Sequence, residues 1–232
     1  MFRKWMLLAI AIGYSTALFA QDTIQYRDDD QFQKLVYKNV RVAMEQGTVK
    51  GFMQLWSESV NIVPSQKVAV KYVKSKQEKP KTPVALAKQL NEQVFVIWKF
   101  YRKTDNNIEG ISISATAFPI NEEGTMMTNK HVLEVLFNKT PGFYEMDSTL
   151  FLSDVHGNVF GIDKVLSYDD NADLALFTIK NNKGIKLHPL AVGDDSPVGS
   201  QVYCLSNPEG FPYYFSSGMV ARNAKYQEFG AS

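Results

Sequence analysis

Between residues 94 and 222 the chain breaks into short apolar or alternating runs, each closed by turn-forming residues. Residues 94–98 (VFVIW) are apolar without interruption, the pattern of a strand buried on both faces. Residues 108–118 (IEGISISATAF) alternate and are rich in Ile, Ser and Thr. A turn at 121–124 then leads to a short strand at 125–128. Residues 149–153 and 158–166 pair as a hairpin around His156, Gly157 and Asn158, and further strands are predicted at 174–179, 200–206 and 212–222. Many short strands at close spacing, with few helices, constrain this part to a β-barrel or sandwich.

The residues before this part have a different texture. Residues 28–46 predict a helix. Asp28, Asp29 and Asp30 suit its N-terminus, Phe32, Leu35, Val36, Val40 and Ala43 recur at helical spacing, and Gly47 suits the stop. Residues 51–63 are ambiguous between helix and strand. Residues 67–81 carry six lysines against Glu78 alone and read as a solvated linker or an edge strand with a basic face. Residues 84–92 are a short helix candidate. The net charge of +1 gives no global field toward nucleic acid, and the basic stretch lacks aromatic interleaving, so no nucleic-acid partner is expected.

Arg3 and Lys4 precede an apolar run at 5–12, and Ser15, Ala17 and Ala20 offer small residues for cleavage. Residues 1–20 therefore read as a secretory signal peptide, too short and interrupted to be a stable membrane anchor. The expected location is periplasmic or extracellular. Cys204 is the single cysteine, so no internal disulfide is available and stability must come from burial. The domain reading is a signal peptide at 1–20, an N-terminal prefix and basic linker at 21–83, and a β domain at 84–232.

Three stretches carry the chemistry. Residues 115–132 read ATAFPINEEGTMMTNKHV, residues 169–180 read DDNADLALFTIK, and residues 192–220 read VGDDSPVGSQVYCLSNPEGFPYYFSSGMV. In this order they resemble the T-N-x-H-V, D-L-A-[VL]-[LF] and N-P-x-G…S-G-x-V blocks of the HtrA-type (Deg-like) branch of the trypsin-like serine peptidases. The resemblance covers residues from about 94 to 222. It implies an all-β, trypsin-like double β-barrel with an incomplete second barrel, behind a short helical or mixed prefix. It also implies a serine endopeptidase acting on protein or peptide substrates without a cofactor; no metal or nucleotide signature is present.

By motif, His131 is the general base and Asp173 the carboxylate that orients it. A serine hydroxyl needs a base within hydrogen-bond reach, imidazole titrates near the working pH, and a carboxylate fixes its tautomer. On its own, T-N-x-H is compatible with an ordinary surface or core histidine; the ordered blocks give it the catalytic role. Asp169 and Asp170 compete with Asp173, but only Asp173 directly precedes the Leu-Ala-Leu strand. His156 and His188 read as solvent-facing residues.

The family's nucleophile stands in a G-x-S-G-G-P loop, a string that does not occur in these residues. Ser196 lies in the segment between barrels and Ser217 in a strand motif. Ser232 follows Gly218 too closely to be that serine, and Cys204, read as mid-strand and buried, is a poor substitute. The expectation is a peptidase domain that is C-terminally incomplete, its catalytic serine outside the sequence. The rival is a pseudo-peptidase that kept the barrel as a protein-binding module.

Overall fold

The computed structural model describes residues 27–76, 81–103, 108–140 and 148–223. The signal-peptide reading of residues 1–20 falls outside them. The described chain is mostly β, as expected, with its helices gathered at the N-terminal side.

Six strands close a barrel: β1 (Phe95–Lys103), β2 (Ile108–Pro119), β3 (Thr125–Thr128), β4 (Ser148–Ser153), β5 (Val159–Asp169) and β6 (Leu174–Lys180). Their order around it is β1-β2-β3-β6-β5-β4, antiparallel throughout, and closure on β1 leaves no free edge. The apolar run at 94–98 is doubly buried, as its pattern predicts. Phe95 and Ile97 face the barrel interior with Met126, Leu152, Phe160 and Phe177. Val96 and Trp98 face outward into a second cluster.

That second cluster is roofed by the prefix. Helix α1 (Asp29–Glu45) is capped by the Asp28 carboxylate, which accepts from the Gln31 N–H, and two more acids sit in its first turn. Phe32, Val36, Val40 and Ala43 are buried on it against Val96, Trp98, Phe100 and Phe151. Leu35, the other member of the predicted stripe, is half-exposed at its margin. The stretch 51–63 resolves as helix α2 (Phe52–Ser59). Phe52, Leu55 and Ser59 recur every three or four residues, so only a helix puts all of them on one face. Phe52 and Leu55 enter the barrel's own core. The prefix backbone also lies directly on β5: a Cβ at Gly161 would stand 2.3 Å from the Thr48 carbonyl oxygen.

Of the basic stretch, residues 67–76 run extended and mostly exposed over the barrel. They are held by Val73 N–H to Ile120 O and by exchanges with Val192. Helix α3 (Pro83–Asn91), capped by the Thr82 hydroxyl, leads into β1.

Beyond the barrel, β7 (Gln201–Ser206) and β8 (Tyr214–Met219) pair as a separate two-stranded sheet. Buried Asn207 binds this sheet to the barrel. Its amide donates to Phe95 O and Thr116 Oγ1, and its Oδ1 accepts from the Tyr213 N–H. One expectation fails here. Cys204 sits mid-strand but is exposed, because no described strand covers that face of β7.

Candidate active site

The barrel's register places the two predicted residues together. β3 and β6 are antiparallel neighbours, with Thr128 opposite Ala175. The chain leaving β3 and the chain entering β6 therefore meet at the same end of the barrel. His131 lies three residues after Thr128, and Asp173 directly precedes β6, so 42 residues of sequence separation collapse to contact.

After Asn129 the chain turns into a 3-10 segment, Lys130–Leu136. Leu133 and Leu136 are fully buried in the barrel core and fix its outer side, on which His131 stands. Asp173 adopts φ +49°, a left-handed conformation that aspartate tolerates better than most residues.

The Asp173 carboxylate spans the histidine. Oδ1 accepts from the His131 backbone N–H at 2.9 Å, and Oδ2 meets Nδ1 of the ring at 2.7 Å. An ionised carboxylate has no proton to donate, so in the neutral tautomer of the ring Nδ1 carries the hydrogen and the lone pair is on Nε2. Asn129 completes the arrangement, its amide donating at 3.2 Å to Oδ2 and to the Asp173 carbonyl. The His131 N–H, then the ring and Asn129, hold the Asp173 carboxyl below the usual carboxylate value. Both side chains are open to solvent, His131 at 65% and Asp173 at 42%.

Asp169 and Asp170 have separate tasks in the same turn. Asp169 accepts from the Ala172 N–H and from Ser65, and the Ser65 hydroxyl is the main reason its carboxyl sits below the usual value. Asp170 pairs with Lys130 at 3.2 Å, tying the turn to the histidine-bearing segment. Glu134, then Asp170, hold the Lys130 ammonium above its usual pKa. Of these partners, Asn129 was visible in the T-N-x-H string, whereas Ser65 had no sequence signal at all.

The other candidates do not join the pair. His156 is exposed and faces Glu92 at 3.0 Å, and His188 is exposed. Ser196 and Ser217 are exposed in the 190–200 segment and in β8. Ser232 lies outside the described residues. A cleft of about 390 Å³ runs between the barrel and β7, bordered by Thr128, Asn129 and Leu174 on one side and Tyr203, Cys204 and Ser206 on the other. The pair thus stands beside this cleft, next to Asn129 and Leu174.

The family model described as trypsin-like peptidase domain matches residues 115–231. The chain belongs to the trypsin-like peptidase family. The match begins inside β2 and takes in His131, Asp173 and the β7–β8 sheet of this trypsin-like domain, and it leaves α1, α2 and the extended stretch outside. No curated protein matches the chain. A peptidase domain implies protein or peptide substrates for this family member.

Proposed function

We propose that this trypsin-like domain belongs to an HtrA-type serine endopeptidase, with His131 as its general base and Asp173 as the residue that orients it. The observation that carries the reading is the 2.7 Å contact of Asp173 with Nδ1, which leaves Nε2 as the free base. In this mechanism Nε2 takes the hydroxyl proton as a serine oxygen bonds to the peptide carbonyl carbon. The imidazolium then returns that proton to the leaving amine as the C–N bond breaks. Water repeats the cycle on the acyl-enzyme and frees the serine. Asp173 stays ionised and stabilises the imidazolium throughout. The serine of this reading stands in a G-x-S-G-G-P loop, which these 232 residues do not contain, so the reaction is that of a form carrying such a loop. The charged start and apolar run of residues 1–20 support export, with the activity periplasmic or extracellular.

A fluorophosphonate probe, which labels activated serines, tests the reading. A form extended past Ser232 should be labelled and should hydrolyse casein, and His131→Ala should abolish both. An extended form that carries the loop and is neither labelled nor active would sink the peptidase reading in favour of a binding module. N-terminal sequencing of protein from the cell envelope or medium should find a mature start between residues 15 and 22; intact Met1 on a cytoplasmic product would contradict export.

A further inference from the structure

We propose that Ser65, in the prefix outside the matched domain, is a positioning residue for the His131–Asp173 pair, acting through Asp169. The inference rests on the catalytic reading of that pair. Three hydrogen bonds lace residues 65–66 onto the end of β5. Ser65 N–H donates to Tyr168 O at 2.7 Å, Ser65 Oγ to Asp169 Oδ2 at 2.6 Å, and Ser167 Oγ to Gln66 O at 2.6 Å. Ser65 itself takes a left-handed φ of +57°, which is uncommon for a residue with a Cβ and persists only where its surroundings fix it.

The far end of the turn is tied to the histidine-bearing segment by the Asp170–Lys130 pair and by the Asp173 carbonyl, which accepts from Lys130 N–H and Asn129, whereas its start is tied through Asp169. Residues 170–172 are exposed, and Asp173 must hold φ +49° with its carboxylate aligned on two nitrogens of His131. Asp169 anchors the start of the turn: one oxygen holds the Ala172 N–H at 2.8 Å, next to Asp173, and the other is held by Ser65. Loss of the Ser65 hydroxyl frees the Asp169 carboxylate to rotate into solvent. The Ala172 contact, and with it the aim of Asp173, then loosens. The trypsin-like domain alone does not supply this clasp, because Ser65 precedes the matched residues.

The test uses the intact chain and the proton on His131 Nδ1, followed as a downfield resonance by ¹⁵N-edited NMR near neutral pH. The wild-type chain should show it. Ser65→Ala should broaden or lose it with little change in melting temperature, and Ser65→Asn, whose amide can still donate and which tolerates the left-handed φ, should restore it. Ser57→Ala, on the exposed side of α2, should leave it unchanged. Asp169→Asn should reproduce the Ser65→Ala spectrum, and the double variant should add nothing further, as expected for one shared contact. In an extended, active form, Ser65→Ala should lower kcat about tenfold to a hundredfold at nearly constant KM, the effect of misaiming a catalytic group. A wild-type chain without the resonance, or a Ser65→Ala chain that keeps it, would overturn the proposal. So would equal loss in Ser57→Ala, which would mark a general loosening. The NMR result holds whether or not any form hydrolyses peptides, so failure of the peptidase reading is separately visible.

Discussion

At the scale of single residues, Asp173 decides most of what the site can do. Asp173→Asn keeps the shape but can present its amide N–H to the ring, which forces the proton onto Nε2 and, on the proposed mechanism, removes the base. In an extended, active form the expected loss is about 10⁴-fold in kcat, read from peptide hydrolysis, with KM little changed. The carboxyls of Asp169 and Asp173 both sit below their ordinary value of 3.8 in the folded chain. The unfolded chain therefore binds protons first as the solution is acidified. The stabilisation from both groups is complete above that value and is lost as pH falls through their lowered range. Melting temperature against pH should show this acid limb, and Asp169→Asn should flatten part of it. The contact of His131 with Asp173 was legible in the sequence, because both stand in ordered motif strings that flank strand ends. Ser65 was not, since it meets Asp169 across 104 residues and serine at that position has no local pattern to stand out from.

At the scale of elements, strand positions followed the sequence closely, and the departures have simple causes. The run at 94–98 was seen, yet β1 continues to Lys103, because Phe100 stays buried under α1 while the opposite face turns polar at Lys99, which replaces the apolar run with alternation. Residues 51–63 were ambiguous because their apolar positions fit two periods, and only the barrel core into which Phe52 and Leu55 reach chooses between them. The seating of the prefix on β5 depends on Gly161. A methyl group there would meet backbone at Thr48 and Val49, which cannot rotate away as a side chain could. Gly161→Ala should cost about 1–3 kcal/mol in chemical denaturation, the usual range for overpacking. It should also open residues 46–51 to limited proteolysis. Asn207→Ala would strand the Tyr213 N–H and the Phe95 carbonyl together. It should destabilise the chain by about 1–3 kcal/mol, and hydrogen exchange should rise first in β7 and β8.

At the scale of the whole molecule, the prefix is part of the barrel's wall. Phe32, Val36, Val40, Phe52 and Leu55 are all buried against it or in it. At about 1.5–3 kcal/mol for each side chain, they match the about 5–15 kcal/mol by which a domain is normally stable. A chain beginning at Pro83 should therefore bind hydrophobic dyes and melt without a cooperative transition, where the full chain melts sharply. Nothing in the sequence indicated this docking, because an amphipathic helix does not say which surface it will cover.

The N-terminal end of this wall is pinned far away in sequence. The Arg27 guanidinium lies over the rings of Phe32 and Tyr213, 4.1 and 4.4 Å from their centres, and donates to the Val155 carbonyl across 128 residues. A ribosome adds about 5–20 residues each second, so Arg27 waits about 6 to 26 s after its own synthesis before Val155 exists to receive it. Through that interval the apolar side of α1 gains its partners piecemeal, Val96, Trp98 and Phe100 first and Phe151 only near the end. A segment made early is thus among the last able to settle, and for those seconds its keeping falls to whatever receives the nascent chain.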